Sequence, residues 1–367
     1  MENKRPTLAQ IDPNLAVKGK VEQEGIAYYD VKGAPFDVYG LYMYRESDVL
    51  RRLPADVAKA TNPGVARLCR HTSGGRVRFS TDSEYVAIHA EYTGMERFSH
   101  MALTGSLGLD LYVDDEVTGS SRYVKTFIPP YDTTDCFESI AHFSSRKMRH
   151  FTIHCSLYSE MCSLSVGVQA DAELLGGLKY RDIKPVVYYG SSITQGGCVC
   201  RPGNSYSNVV TMRTGIDHIN LGFSGSARGE LAVVEYMADL DMSVFISDYD
   251  HNARTPEMLQ NTHSRMYHII REKNPDIPYI IISRPDFTGA YEDSVNRRAI
   301  IYDTYREAIE SGDRNVYFID GESIFRGKYR EMATVDGCHP NDLGSALMAD
   351  AIEHTLYCAF SQTNFYV

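Results

Sequence analysis

The stretch Pro185-Val186-Val187-Tyr188-Tyr189-Gly190-Ser191-Ser192-Ile193-Thr194-Gln195-Gly196-Gly197 decides how the chain is read. Four apolar, strand-forming residues, Val186 to Tyr189, run into Gly190 and then into two hydroxyl side chains where the strand must end. In an open parallel sheet, ligands bind in the crevice beyond the carboxyl ends of the strands, so serines here stand where a ligand reaches them. The structural alternative is a turn serine that caps the next helix. Partners elsewhere in the chain have to decide between the two.

From Pro185 onward, strand-like apolar runs alternate with amphipathic helical ones. The expected strands are Val186 to Tyr189, His218 to Leu221, Val244 to Ile246, Tyr279 to Ile282 and Val316 to Ile319. The helices between and after them are Tyr206 to Met212, Glu230 to Leu240, Pro256 to Lys273, Val295 to Ser311 and Leu343 to Tyr357. Such alternation implies a parallel sheet with helices on both faces. Before it the pattern is different. Short runs punctuated by turn residues (Ile26 to Val31, Val77 to Phe79, Tyr85 to Tyr92, Leu107 to Val113, Val124 to Ile128, Phe151 to Leu157, Leu164 to Val168) predict an all-β sandwich or jelly roll, with only Pro54 to Thr61 helical. Ala172 to Tyr180 is expected to be the linker, giving an accessory domain over 1–177 and a catalytic domain over 178–367.

Composition narrows the function. The chain has 367 residues, 43% hydrophobic and 23% charged, with a formal net charge of -11. No basic run offsets that charge, which argues against nucleic acid or an anionic membrane as partner. No leader-like apolar segment follows Met1, and no run of about 18 apolar residues occurs, so a cytoplasmic protein is expected. The eight cysteines are scattered, several inside strand-like runs, as reduced buried thiols are. Cys198-Val199-Cys200 has the wrong spacing for a zinc knuckle or redox pair, and Cys338-His339 lacks a second pair at metal-ligand spacing, so no metal site and no cofactor are expected.

The polar residues of the second half fall at one sheet edge. Beyond the second strand comes Leu221-Gly222-Phe223-Ser224-Gly225, beyond the third Asp248-Tyr249-Asp250-His251-Asn252, and after the fifth Val335-Asp336-Gly337-Cys338-His339-Pro340. Acyl transfer needs such a set. A serine becomes nucleophilic when a base takes its proton, and His339 has a carboxylate, Asp336, three residues earlier to orient it. The amide of Ser192, the amide of Gly225 and the carboxamide of Asn252 are candidate oxyanion donors. Asp250 is an alternative to Asn252, but a carboxylate repels an oxyanion. His251, whose only carboxylate three positions earlier is Asp248, ranks behind His339 as base. Each residue alone also reads as a cap, a turn or a bulge.

Gly190-Ser191-Ser192-Ile193-Thr194-Gln195-Gly196, Asn220 to Gly225, Asn252 and Asp336 to Pro340 together resemble, in order and spacing, the four blocks of the SGNH hydrolases, the GDSL esterase/lipase superfamily. The resemblance implies a flavodoxin-like α/β/α domain with a five-stranded parallel sheet. It further implies Ser192 as nucleophile, Asp336 and His339 as its partners, and Gly225 and Asn252 as oxyanion donors. Ser191 stands where the superfamily's name has aspartate, and Asn252 lies in a different local context from the usual block. Gly108-Leu109-Asp110-Leu111-Tyr112 resembles the GxDLY domain that precedes one SGNH subfamily; otherwise it is an ordinary strand. The two-domain layout is also similar to carbohydrate O-acetyl esterases and to an acyltransferase of natural-product biosynthesis. The expected substrate is therefore a small-molecule or oligosaccharide ester, with transfer to an alcohol or simple glycan binding as the rival functions and a homo-oligomer left open. The sandwich is expected to wall the crevice, through residues such as Tyr42, Tyr44, Arg45 and Glu46.

Overall fold

The structure, a computed structural model, describes residues 7–285 and 289–362. The C-terminal half is built on five parallel strands: β1 (Val186–Gly190), β2 (His218–Gly222), β3 (Val244–Asp248), β4 (Tyr279–Ile282) and β5 (Val316–Ile319), in the spatial order β2-β1-β3-β4-β5. They are mostly apolar because both faces are covered, with His218, Asn220, Ser247 and Asp248 as the polar exceptions. Val187, Tyr189, Phe245 and Ile281 meet the helices Leu231–Ala238, Pro256–Lys273 and Tyr291–Glu310. Val186, Tyr188, Ile246 and Ile280 meet Tyr206–Thr214 and Asp342–Gln362. The chain leaves β1 toward β2 and then crosses back to β3, so the order reverses at β1/β3. The crevice of a doubly wound sheet opens at such a reversal.

The N-terminal half forms two antiparallel sheets around one core. One has the order Ile26–Asp30, Ser159–Gln169, Tyr85–Met95, Cys136–His142; the other runs Leu174–Gly176, Arg76–Thr81, Arg149–His154, Leu109–Asp114, Ser121–Phe127. A further strand, Asp37–Tyr39, pairs with Arg76–Thr81 off the second sheet's path, and it and two others escaped the sequence reading. Cys136–His142 is half polar, Asp37–Tyr39 has three residues, and Leu174–Gly176 lies inside the expected linker yet pairs with Thr81, Ser80 and Phe79.

This half does not pack only on itself. A second helix, Pro63–Leu68, follows Ala55–Thr61, with Asn62 closing the first and accepting from the Val65 amide to cap the second. Leu53, Ala58, Val65 and Cys69 belong to the same buried cluster as Val187, Phe223 and Phe245 of the parallel-sheet domain. Three polar ties reinforce that packing. Arg52, 1% exposed, donates to the carbonyls of Leu68 (2.7 Å), His71 (2.8 Å), Asn220 (3.1 Å) and Gly222 (2.6 Å), with its guanidinium carbon 4.6 Å from the Phe223 ring centroid. Arg76 reaches Asp217 at 2.7 Å and the His218 carbonyl at 2.8 Å. Asp110 accepts from the Gly203 amide at 2.8 Å and from Thr126 at 2.6 Å.

Because residues 53–69 complete the core of the parallel-sheet domain, a chain beginning at Gly177 is expected to be unfolded or insoluble, and a cooperative calorimetric transition at the temperature of the full chain would contradict the packing described. In the full chain, Arg52→Met strands several buried carbonyls, each costing about 1–3 kcal/mol. A distinctly lower Tm is expected, and an unchanged Tm would show that the guanidinium is not needed to join the halves.

Candidate active site

The turn after β1 is shaped by what cannot fit. A Cβ on Gly190 would stand 2.0 Å from the Thr194 hydroxyl and 2.4 Å from the Asp248 carbonyl, so only glycine lets the strand turn this tightly. Ser191 then caps the short helix Ser192–Gln195, its hydroxyl accepting from the Ile193 amide at 3.1 Å, and Gly196 ends it with φ 95°. Ser191 is the capping serine. Ser192 is the first helical residue, and its amide has no intrahelical acceptor.

Ser192 Oγ lies 2.8 Å from His339 Nε2, and His339 Nδ1 lies 2.8 Å from Asp336 Oδ2. The carboxylate beside Nδ1 keeps the proton there, which leaves the Nε2 lone pair facing the hydroxyl. Asp336 Oδ1 also accepts from the amides of His339 (2.7 Å) and Cys338 (3.1 Å). Partial burial pushes this carboxyl group up, but those amides, the His339 ring bond and the imidazole charge outweigh it and hold Asp336 down at about 2. A hydroxyl, an imidazole and a carboxylate in this chain are suited to moving a proton off Ser192.

The oxyanion candidates gather around Phe223. Asn252, in the turn after β3, donates to the Phe223 carbonyl at 2.9 Å, which fixes the carboxamide and leaves its second N–H for another acceptor. Gly225 adopts φ 62°, and no atom lies within 4 Å of where its Cβ would stand. The neighbouring Ser224 amide is held at 3.0 Å by the side chain of Gln195, and Asn220 locks the loop base by donating to Thr194 O at 2.7 Å and accepting from the Gly222 amide at 2.9 Å.

The alternatives named from sequence are engaged elsewhere. Asp250 faces Arg284 (3.4 Å) and Arg297 (3.5 Å). Asp248 does not orient His251; it accepts from Thr194 and Tyr206, each at 3.2 Å, and burial pushes its carboxyl group up to about 7 against those bonds. His251 Nδ1 instead lies 3.6 Å from Cys338 Sγ.

The sandwich reaches this site, though Tyr44 and Arg45 are engaged elsewhere. Tyr44 packs on the sandwich core, and Arg45 binds Tyr44 Oη (2.9 Å) and the Lys32 carbonyl (3.0 Å). The contacts come from Tyr158, which donates to the Ser192 carbonyl at 3.3 Å, and from His100, whose ring centroid is 5.6 Å from that of His339. Phe98 packs edge-on against Tyr158 at 5.4 Å, and Leu157, Tyr158 and Val199 form an apolar cluster with Phe98 and Met101. These residues lie between strands or at strand ends without periodicity. The aromatic content of Tyr158 and of the Phe98-Ser99-His100 loop was the only available signal. Cys198, after the helix, takes φ 70°, rare for a side-chain-bearing residue. Burial, with the Asp336 and Cys338 charges, pushes its thiol up to about 12, which makes it a neutral thiol.

An interdomain cleft of about 440 Å³, lined by Arg78, Asp114, His154 and Tyr180 among others, shares no residue with this constellation; a cavity of about 230 Å³ within the parallel-sheet half includes Asp336 and Gly337.

The Asp336 shift has a sign that can be measured. A carboxyl group held below its unfolded value adds stability that is fully present above about pH 4 and is lost as pH falls through about 2. The stability gap between the native chain and Asp336→Asn is therefore expected to narrow as pH falls from about 4 to about 2, followed by denaturant unfolding. A gap that widened over that range would contradict the hydrogen-bonded carboxylate.

Comparison with known proteins agrees with this architecture. Residues 183–357 match the GDSL-like lipase/acylhydrolase family, and residues 26–174 match the N-terminal domain of SGNH-hydrolase-type esterases, GxDLY. No curated protein matches the sequence. Among solved structures, a Bacteroides ovatus protein described as a GDSL-like lipase is 25% identical, with TM-score 0.82, covering 92% of this chain and 98% of its own. The salicylyl-acyltransferase SsfX3 of a tetracycline biosynthetic pathway is 18% identical, with TM-score 0.74 and the same coverage of 92% and 98%. The acetyl xylan esterase Est2A of Butyrivibrio proteoclasticus is 11% identical, with TM-score 0.58, covering 93% of this chain and 100% of its own. The chain belongs to the GDSL-like, or SGNH, hydrolase superfamily, in the branch that carries a GxDLY domain ahead of the hydrolase domain.

Proposed function

We propose that this protein is a serine esterase that removes short O-acyl groups, chiefly acetyl, from carbohydrate. The observation that carries the reading is the unbroken relay from Ser192 Oγ through His339 to Asp336, with 2.8 Å at each step. Ser192 attacks the ester carbonyl as His339 takes its proton, and Asp336 stabilises the imidazolium so formed. The tetrahedral oxyanion is met by the amides of Ser192 and Gly225 and the free N–H of Asn252. His339 then protonates the departing sugar oxygen, and water repeats the sequence on the acyl-enzyme.

Substrate class rests on two grounds. An acetyl xylan esterase shares this fold. The apolar cluster of Leu157, Tyr158 and Val199 packs next to the Ser192 loop, a boundary that suits a small acyl group better than a long one. An acyltransferase also shares the fold, and the same site transfers to an alcohol if a sugar or polyol replaces water.

On p-nitrophenyl esters from acetate to octanoate, kcat/KM is expected to fall with chain length, and turnover of acetylated oligosaccharide should release free acetate. If added sugar accelerated ester consumption while free acid stayed flat, the protein would be a transferase. Ser192→Ala should abolish turnover with Tm intact, His339→Ala should cost nearly as much, and the double variant little more, because members of one catalytic unit are not additive. Additive losses would break the unit. Asn252→Ala should lower kcat by about 10² to 10³ with little change in KM, and an effect confined to KM would make it a binding residue instead.

A further inference from the structure

We propose that the mouth of the active site is a binding site for a divalent metal of borderline softness, Zn²⁺ foremost, which His100, Cys198 and His339 ligate and which switches the enzyme off. The ligand atoms of these three side chains lie within 4.8 Å of one another, and they come from three separate places: a sandwich loop, the turn after the nucleophile helix, and the loop before the last helix.

Chemistry favours the assignment. Two imidazoles and a thiol form a donor set that zinc prefers, with Zn–N near 2.0–2.1 Å and Zn–S near 2.3 Å. The tautomer that serves as a general base also serves as a ligand: Nδ1–H of His339 is held by Asp336 at 2.8 Å, and Nε2 presents a lone pair. A carboxylate behind a ligating histidine is the usual support of a zinc site. His100 is exposed, with its ring 5.6 Å from that of His339, so its rotation about the side-chain bonds can bring the donors together. Cys198 is held at φ 70°, and an outlier of this kind beside a reactive centre points to a function for the side chain it aims.

Binding is balanced as a proton exchange. The metal takes the Nε2 lone pair that otherwise accepts from Ser192 Oγ, 2.8 Å away, and its charge expels the Cys198 thiol proton to solvent. Water completes the coordination. With Nε2 occupied, the Ser192 proton has no acceptor and acyl transfer stops until the metal leaves. The inhibitory half rests on the proposed esterase mechanism; the binding half does not.

The test separates the two. Zn²⁺ is titrated into the native chain and into Ser192→Ala by calorimetry, and Co²⁺ is titrated while the thiolate-to-metal charge-transfer absorption is followed. The expected result is one site per chain in both proteins, a charge-transfer band lost in Cys198→Ser, and Zn²⁺ affinity weakened at least about ten-fold by His100→Ala and by Cys198→Ser. In ester turnover, Zn²⁺ should inhibit the native chain reversibly on adding EDTA, with the inhibition constant of each variant, read against its own metal-free rate, raised by the same factor as its affinity. Calorimetric binding that survives unchanged in both variants, or no binding at all, would overturn the site. Binding at these residues without inhibition would overturn the switch and, with it, the role of His339 Nε2 as base.

Discussion

A guanidinium with 1% exposure and carbonyl oxygens for its solvation shell is the constraint on which the structure turns. Removing a cation from water is costly unless every donor finds a partner. Arg52 finds them in the carbonyls of Leu68 and His71 on one side and of Asn220 and Gly222 on the other. Burial lowers it only to about 10, so it remains charged at neutral pH. The ion is satisfied only when the N-terminal segment and the end of β2 are both in place. Gly222 and Phe223 lead directly into Ser224 and Gly225, so the contact that joins the halves also sets the start of the loop that carries Gly225.

The GxDLY motif acts in the same way. A Cβ on Gly108 would stand 2.3 Å from the Thr104 carbonyl, which excludes other residues there. Asp110 accepts from the Gly203 amide at 2.8 Å, and Tyr112 Oη accepts from Arg201 at 3.0 Å while filling the space where a Cβ on Gly203 would stand. Burial pushes Asp110 up to about 6, with the Thr126 and Gly203 bonds and the Arg201 charge drawing it back. As a bare sequence pattern the motif is indistinguishable from a strand. Its meaning lies in partners about 90 residues away, which periodicity does not encode.

That difference explains what could be read from the sequence. The parallel sheet was legible because strands covered on both faces are continuous apolar runs, and Ser192, Asn252, Asp336 and His339 were legible because loops at strand ends carry chemistry. The structure brings Ser192, His339 and Asp336 into one hydrogen-bonded chain and sets Asn252 against Phe223 beside Gly225. Tyr158 and His100 were not legible. They belong to a domain whose alternation reports only its own core, and nothing local distinguishes an aromatic that walls a neighbouring site from one that stacks at a strand end. The helix Pro63–Leu68 was missed because Pro and Gly open it, although Pro is well suited to the first helical turn.

The relay is assembled from two separately stiffened pieces. Asp336 and His339 sit in a loop closed on itself: the Val335 amide donates to the His339 carbonyl at 2.9 Å, Gly337 takes φ 81°, and the Asn341 amide donates to Ala333 O at 3.0 Å at the start of the last helix. Ser192 is fixed by β1, by the Ser191 cap and by the Gly197 amide, which donates to its carbonyl at 2.7 Å. The Ser192–His339 hydrogen bond spans the gap between them. Gly197 stands at the point of closure, where a Cβ would lie 3.0 Å from the Ser192 carbonyl, 3.1 Å from Tyr158 Oη and 3.4 Å from His339 Cδ2. A side chain there would crowd the Ser192 loop and the sandwich tyrosine and rest against the imidazole. A position that touches both pieces and the sandwich is therefore held by the smallest residue.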